Sequence, residues 1–447
     1  MELFKKILLL ISIIVTFIVF NVVINPHNND FIYLPLIPLF YGILYKCLVP
    51  SNVIWGPGFF IMNLILFIRY ILYPYLIVKD SFDFNLDIDP LYITPSIIII
   101  LMEMVVILII FHYKCDKRFD TDDDDISDEL DVGMGTISFD FIILIVIISL
   151  LLLCYVLEPN LYANKHFILN PALILEDKVE ASGQFVIISR WFEKCIILVF
   201  LTILIKKGYS FYWCFILLLI PSLFFEGHSR LSILSPTAAS LFLIYKIFPK
   251  KKKSIFGFGF ILLFFSMSSL TMSKMYKVNE VNQLEITNPS STVGAYFGGI
   301  PNIAKHLEMC DRFGDNIGLN TMVNDMFRNC IGISSLFSSK NNSVYHFNRT
   351  FYNLDVEKGD QIPTTVGQSI SYFGILFFWV LTFIMVSLTL WADKKYRVEQ
   401  RLEFAWLYAI FAVTVGWALP GSFQHLYMCL YYTFMPLFFI FKLYRNN

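Results

Sequence analysis

The side chains best suited to chemistry in this sequence are arginines and histidines, and they recur close together. In Glu226-Gly227-His228-Ser229-Arg230 a carboxylate, an imidazole and a guanidinium fall within one short turn. Arg190 stands beside Glu193 and Lys194, and Arg349 lies in the long loop three residues after His346. A guanidinium grips phosphate oxygens through two parallel N–H donors. An imidazole exchanges a proton near neutral pH. Together these groups suit a substrate with a phosphate or pyrophosphate head and a step that needs a base. At Arg190 the competing role is an interfacial anchor that snorkels to the headgroups, and at Arg349 it is a solvated loop charge. No Gly-rich phosphate loop, zinc-type Cys/His spacing or Gly-x-Ser-x-Gly elbow occurs, so neither a metal nor a cofactor is expected.

The elements that must hold these residues are set by composition. Of 447 residues, 57% are hydrophobic and only 15% charged. Soluble domains carry about 25% charged residues, so a water-soluble enzyme is excluded. Lys+Arg 34 against Asp+Glu 35 leaves no basic excess for nucleic acid. The apolar residues form runs long enough to cross a hydrocarbon core of about 30 Å. Twelve spans are expected: Ile7–Ile24, Phe31–Val49, Val53–Val78, Leu91–Tyr113, Ile137–Leu157, Gln184–Ile205, Ser210–Phe225, Leu231–Phe248, Ile255–Ser273, Pro363–Trp391, Phe404–Leu419 and Ser422–Phe441. The fold class is therefore an all-α polytopic membrane protein. The first span has the charged start of a signal sequence but no small-residue cleavage site, and reads as a retained helix.

Lys and Arg accumulate in alternate short loops, which by the positive-inside rule places both termini in the cytoplasm. The chain then divides into spans one to nine (1–273), a large external loop (274–362) and spans ten to twelve (363–447). The loop between the fourth and fifth spans, 114–136, holds Asp120–Asp131 on the cytoplasmic side and reads as a solvated charge run. Loops as long as 274–362 are usually functional or disordered. Within it, Val293–Met309 and Met322–Phe337 keep an apolar stripe beside Lys305, His306, Asp325 and Arg328, which predicts amphipathic helices lying on the membrane surface. Six of the seven histidines fall at or beyond the external face. Arg69 and Glu103, deep in the third and fourth spans, are expected to neutralise each other. Cys310 and Cys330 share the external loop, where an oxidising compartment would allow a bridge.

The arrangement resembles the bacterial O-antigen polymerases of the Wzy family. The resemblance rests on about twelve spans, cytoplasmic termini and one large late periplasmic loop. Locally it rests on Glu226-Gly227-His228-Ser229-Arg230 and on the run from Asp360 to Ser369 leading into Tyr372-Phe373-Gly374. It implies an integral-membrane glycosyltransferase in the bacterial inner membrane. Such an enzyme joins oligosaccharide repeat units carried on undecaprenyl pyrophosphate at the periplasmic face. A chain-length regulator and a flippase of the same pathway would be its partners beside membrane lipid. On that reading Arg190, Arg230 and Arg349 hold the substrate, His228 or His346 is the base, and Gln368 and Tyr372 orient sugar hydroxyls. Two alternatives stay open. An O-antigen ligase shares the architecture and differs in acceptor. A lipid-linked oligosaccharide flippase would show two similar halves and a charged central cavity, whereas here the loops are lopsided.

Overall fold

The computed structural model describes residues 1–24, 26–84, 88–115, 137–163, 165–167, 183–219, 224–226, 231–255, 257–259, 261, 288–328, 330, 333–338, 340–352 and 361–446. These residues are almost entirely helical. The exception is one two-stranded antiparallel pair, β1 (Lys165–Phe167) with β2 (Phe224–Glu226). Among the described residues seven helices are long and apolar enough to cross a membrane: Glu2–Val23, Asn29–Leu48, Pro57–Lys79, Pro90–Lys114, Asp140–Leu157, Ile375–Val398 and Gln424–Tyr444. A shorter apolar helix spans Leu402–Trp417.

Along the chain the helices are named as follows. The first four spans are α1 (Glu2–Val23), α2 (Asn29–Leu48), α3 (Pro57–Lys79) and α4 (Pro90–Lys114). Then come α5 (Ile137–Leu157), α6 (Gly183–Lys206), α7 (Phe211–Leu219) and α8 (Leu231–Ile247). The next five, α9 (Pro289–Phe297), α10 (Ile300–Phe313), α11 (Leu319–Phe327), α12 (Ser343–Phe351) and α13 (Thr365–Phe373), are all shorter than a span. Last are α14 (Ile375–Val398), α15 (Leu402–Trp417) and α16 (Gln424–Tyr444).

The expected twelve spans are thus met in part. The sixth is a single helix, α6, but Arg190, Glu193 and Lys194 interrupt its apolar run. The seventh is only the nine residues of α7, followed by β2. The ninth lies mostly outside the described residues. The tenth breaks in two. Thr364 caps α13 by accepting from Gly367 N at 3.0 Å, and Gly374, at φ +84°, ends it. Few residues other than glycine tolerate that backbone conformation, so α14 starts afresh at Ile375 and the helix before it stands apart.

Two spans carry a five-residue π turn, and the sequence supplies the reason. Ile68–Leu72 ends two residues before Pro74, with Tyr73 N donating to Ile68 O. Leu430–Phe434 ends two residues before Pro436, with Met435 N donating to Leu430 O. Proline has no N–H for the carbonyl four residues back, and the ladder upstream widens to absorb the defect.

The chain forms two compact units. Unit 1 comprises Met1–Thr121, Ile286–Trp391 and Val415–Met428; unit 2 comprises Asp122–Glu285, Ala392–Thr414 and Cys429–Asn447. In unit 1, α1 packs on α2 and α2 on α4, while α10 lies against α4, α12 and α13. The predicted pair forms within these spans: Arg69 Nη2 lies 2.6 Å from Glu103 Oε2, both buried, and Thr382 Oγ1 donates to Glu103 Oε1 at 3.2 Å. In unit 2, α6 packs on α5 and α7, and α7 on α8. There Asp140 is buried, accepting from Lys206 Nζ and from Tyr444 OH, each at 2.6 Å.

Of the two stretches expected to be amphipathic helices on a membrane surface, Val293–Met309 is corrected by the structure. Val293–Met309 breaks at Gly298, whose φ of +63° closes α9. From Ile300 to Met309 every residue of α10 is buried, Lys305 and His306 included. The charges are tolerated because they pair: Lys305 Nζ donates to Glu308 Oε2 at 2.8 Å, and Arg312 meets the other oxygen of Glu308. This segment folds around α10.

Candidate functional site

The densest polar cluster in unit 1 is centred on Asp325 of α11, 2% exposed. Its carboxylate accepts from Ser343 N at 3.2 and 3.1 Å, from Gln424 Nε2 at 3.0 Å and from the Tyr372 hydroxyl. Gln368 joins the same network. Its Nε2 donates to Ser343 Oγ at 2.8 Å and to Tyr372 OH at 3.2 Å, while its Oε1 accepts from Phe423 N at 2.7 Å. Four stretches of chain far apart in sequence are fastened at this point: α11, the first residue of α12, α13 and the start of α16. Burial pushes the Asp325 carboxyl above its ordinary pKa, and the bonds from Tyr372, Ser343 and Gln424 oppose that rise. Burial, then the neighbouring Asp325, raises the Tyr372 phenol well above 10.0. The network is closed upon itself, so its first consequence is to hold α12 and α13 in place.

α12 exists because Asn342 caps it, its side chain accepting from Tyr345 N at 2.8 Å. One turn into this helix stands His346, 6% exposed, and neither ring nitrogen has a hydrogen-bond partner. The Phe313 ring lies 5.2 Å from the imidazole. Arg349 follows one turn later, its guanidinium 5.3 Å from the Phe313 centroid and 5.6 Å from that of Tyr345. Its buried Nε has no acceptor. Burial, then the Arg349 charge, lowers the His346 pKa. Both effects favour the neutral imidazole, whose nitrogens remain unpartnered.

His306 is the contrasting case. It stacks on Phe347 with centroids 4.3 Å apart, and its Nδ1 lies 2.9 Å from Asn302 O. Burial lowers its pKa to about 4, against the raising effect of the Asn302 carbonyl. A Cβ at position 367 would overlap its ring, so Gly367 is what allows α13 to approach α10.

Of the sequence-predicted site residues, the structure brings Gln368 and Tyr372 into one network and sets His346 and Arg349 on one helix. Arg190 lies on α6 of unit 2 and is exposed. His228 and Arg230 lie outside the described residues. The bridge between Cys310 and Cys330 is not formed: both are free thiols. Cys310 Sγ instead lies 3.7 Å from Ser371 Oγ, and Cys330 Sγ donates to Met326 O at 3.5 Å. Each thiol already has a local partner on its own side of the fold. Among the described residues no group of three His, Cys, Asp or Glu could hold a metal ion.

Sequence reasoning passed over Asp325 as one loop charge among several, and Ser343 and Gln424 altogether. The available signal was an aspartate set among Met322, Val323, Met326 and Phe327, where an acid needs partners. No protein-family model, curated protein or solved structure matches the chain.

Proposed function

We propose that the chain is an integral-membrane glycosyltransferase of the bacterial inner membrane that polymerises oligosaccharide repeat units carried on undecaprenyl pyrophosphate. The observation that carries this reading is the pair His346 and Arg349 on α12. A neutral imidazole with both nitrogens unpartnered stands one turn from a guanidinium with a free donor. The Asp325 network fixes the first residue of that helix.

In this reaction a sugar hydroxyl of the acceptor attacks the anomeric carbon of the lipid-linked donor. The glycosidic C–O bond forms as the bond from that carbon to the pyrophosphate breaks, and the electron pair leaves on the phosphate oxygen. His346 takes the hydroxyl proton and later returns it to water. Arg349 stabilises the charge growing on the leaving group. Cation stabilisation of a developing charge and a positioned base are the two contributions such chemistry needs. The hydrogen bonds that Gln368 and Tyr372 make within the Asp325 network argue for positioning α12 in place of touching sugar.

The test is the length distribution of surface polysaccharide in the native host carrying His346→Gln, Arg349→Lys or Arg230→Lys, with membrane abundance measured alongside. A polymerase defect leaves single repeat units on the surface. Absent surface sugar with accumulated lipid-linked polymer would identify a ligase. Single units trapped on the cytoplasmic leaflet would identify a flippase. Normal chain lengths in all three variants would remove the assignment.

A further inference from the structure

Four stretches of unit 2 that lie far apart in sequence end together, and each end carries lysine. The junction of α6 with α7 is tied to the end of α8 by the Phe211 and Phe248 rings, whose centroids lie 5.4 Å apart. The end of α8 is in turn clamped to the end of α14. Lys246 Nζ donates to the carbonyls of Tyr396, Arg397 and Glu399 at 2.7, 3.1 and 2.6 Å, and Tyr396 OH donates back to Phe242 O at 2.8 Å. The last carbonyls of a helix have no donor of their own, so one ammonium both satisfies the end of α14 and fixes α8 beside it. Asp140 joins the ends of α6 and α16 by accepting from Lys206 and Tyr444.

These clamps leave a surface of one sign. Lys207, the four consecutive lysines of 250–253, Lys395 and Lys442 are all exposed around this end. The acids beside them are occupied or buried. Asp140 is buried with Lys206, Glu399 meets Arg401 through both oxygens at 2.6 and 2.7 Å, and Asp393 and Glu403 are buried. Among the described residues of these four stretches no acid is exposed. Next to the lysines stand three aromatic side chains, Tyr209, Tyr212 and Trp213, which are 47%, 64% and 59% exposed. Tyrosine and tryptophan collect where the apolar tails of a bilayer give way to headgroups. That places the lysines at headgroup depth, where their stems lie along apolar surface and their ammonium groups reach outward.

We propose that this end of unit 2 is a docking surface for the headgroups of anionic phospholipid in the leaflet it faces. Clusters of about four to eight lysines or arginines at the foot of membrane helices attract acidic lipid, and here the cluster is assembled in space from four stretches. Lipid is favoured because the exposed rings need an apolar neighbour, which a bilayer supplies beside its phosphates. The rival occupant within the chain is the acidic run from Asp120 to Asp131, which matches the charge but sets only Ile126 and Leu130 against those rings. The surface goes beyond the reaction proposed above and stands whether or not that reaction is correct.

Trp213 provides a local reporter. The full-length protein is placed in phosphatidylcholine vesicles that contain brominated phosphatidylglycerol or, at equal mole fraction, brominated phosphatidylcholine. The part of the tryptophan quenching that is lost in Trp213→Phe is the signal. By that signal phosphatidylglycerol should bind at least about fivefold more tightly than phosphatidylcholine, and high salt should shrink the preference, because exposed charges are screened. Lys250→Gln, Lys251→Gln, Lys252→Gln and Lys253→Gln together should lower the preference at least about threefold. Lys207→Gln with Lys395→Gln provides a second variant if the first does not fold, and should lower it as well. Equal quenching by the two lipids in the wild-type chain overturns the surface, as does a preference unchanged in whichever variant folds. A preference that emerges only after Asp122→Asn, Asp123→Asn, Asp124→Asn and Asp125→Asn also overturns it, with the acidic run as the occupant in place of lipid.

Discussion

Arg69 and Arg349 both stand in unit 1, and their surroundings are opposite. Arg69 is 1% exposed and meets Glu103 at 2.6 Å, in a span where an unpaired charge would be ruinous. Arg349 is half-buried, rests on two aromatic rings, and has beside it a histidine with both nitrogens unpartnered. The same contrast separates His306, stacked and bonded through Nδ1, from His346. Arg69 has its carboxylate and His306 its carbonyl, although His306 Nε2 has no partner. Along α12 the ionisable groups are left wanting a partner, which is what a substrate-facing group requires.

The largest effect should come from breaking the matched pair. Glu103→Leu strands the Arg69 charge, and losing one partner of a buried ion pair costs about 3–5 kcal/mol. Folded yield and thermal midpoint in detergent should fall sharply, and adding Arg69→Met should recover most of the loss. No recovery in the double variant would mean that the pair does more than neutralise itself.

Next in size is the contact of α10 with α13. Gly367→Ala presses a methyl group into the His306 ring, which Phe347 prevents from retreating. Overpacking of this kind costs about 1–3 kcal/mol, and His306→Ala in the same chain should relieve it. The same histidine sets a pH dependence. An unfolded chain binds its proton near 6.5, whereas the folded chain resists until about 4. Stability is therefore present above 6.5 and is lost as pH falls through that window. Thermal midpoints measured from pH 7 to 4 should show this loss, reduced in His306→Phe. A variant with the wild-type slope would assign the acid sensitivity to other groups.

At the unpartnered helix the expected order is reversed. His346→Gln and Arg349→Lys should move the thermal midpoint little, since substitutions that break no partner usually lie within about 0.5 kcal/mol, yet polymer length should collapse. Marked destabilisation by either would place these residues with the matched groups. Smallest of all should be Lys340→Ala, an exposed loop residue whose replacement should lie within about 0.5 kcal/mol.

How far the sequence led can be argued from particular residues. Unbroken apolar runs gave α1 to α5, because hydrophobic length is a local property that survives any tertiary arrangement. The Arg69–Glu103 pair was legible for a related reason, since charges that deep have few alternatives to each other. The tenth span was misjudged at its start. Capping by Thr364 and the turn at Gly374 outweighed an apolar run that otherwise continued.

What the sequence determined by itself is an almost wholly helical chain with several helices suited to lipid, and candidate groups of arginine and histidine. Only the tertiary structure decided which of those groups are satisfied. The periodicity of Val293–Met309 cannot distinguish one face on a membrane from burial all round, because that depends on α4, α12 and α13 closing over α10. Nor could position in the chain tell His306 from His346. A partner such as the Phe347 ring or the Asn302 carbonyl is a fact of distance in space, and so is its absence. Asp325 became a hub for the same reason: its donors come from residues 343, 372 and 424, which no reading along the chain brings together.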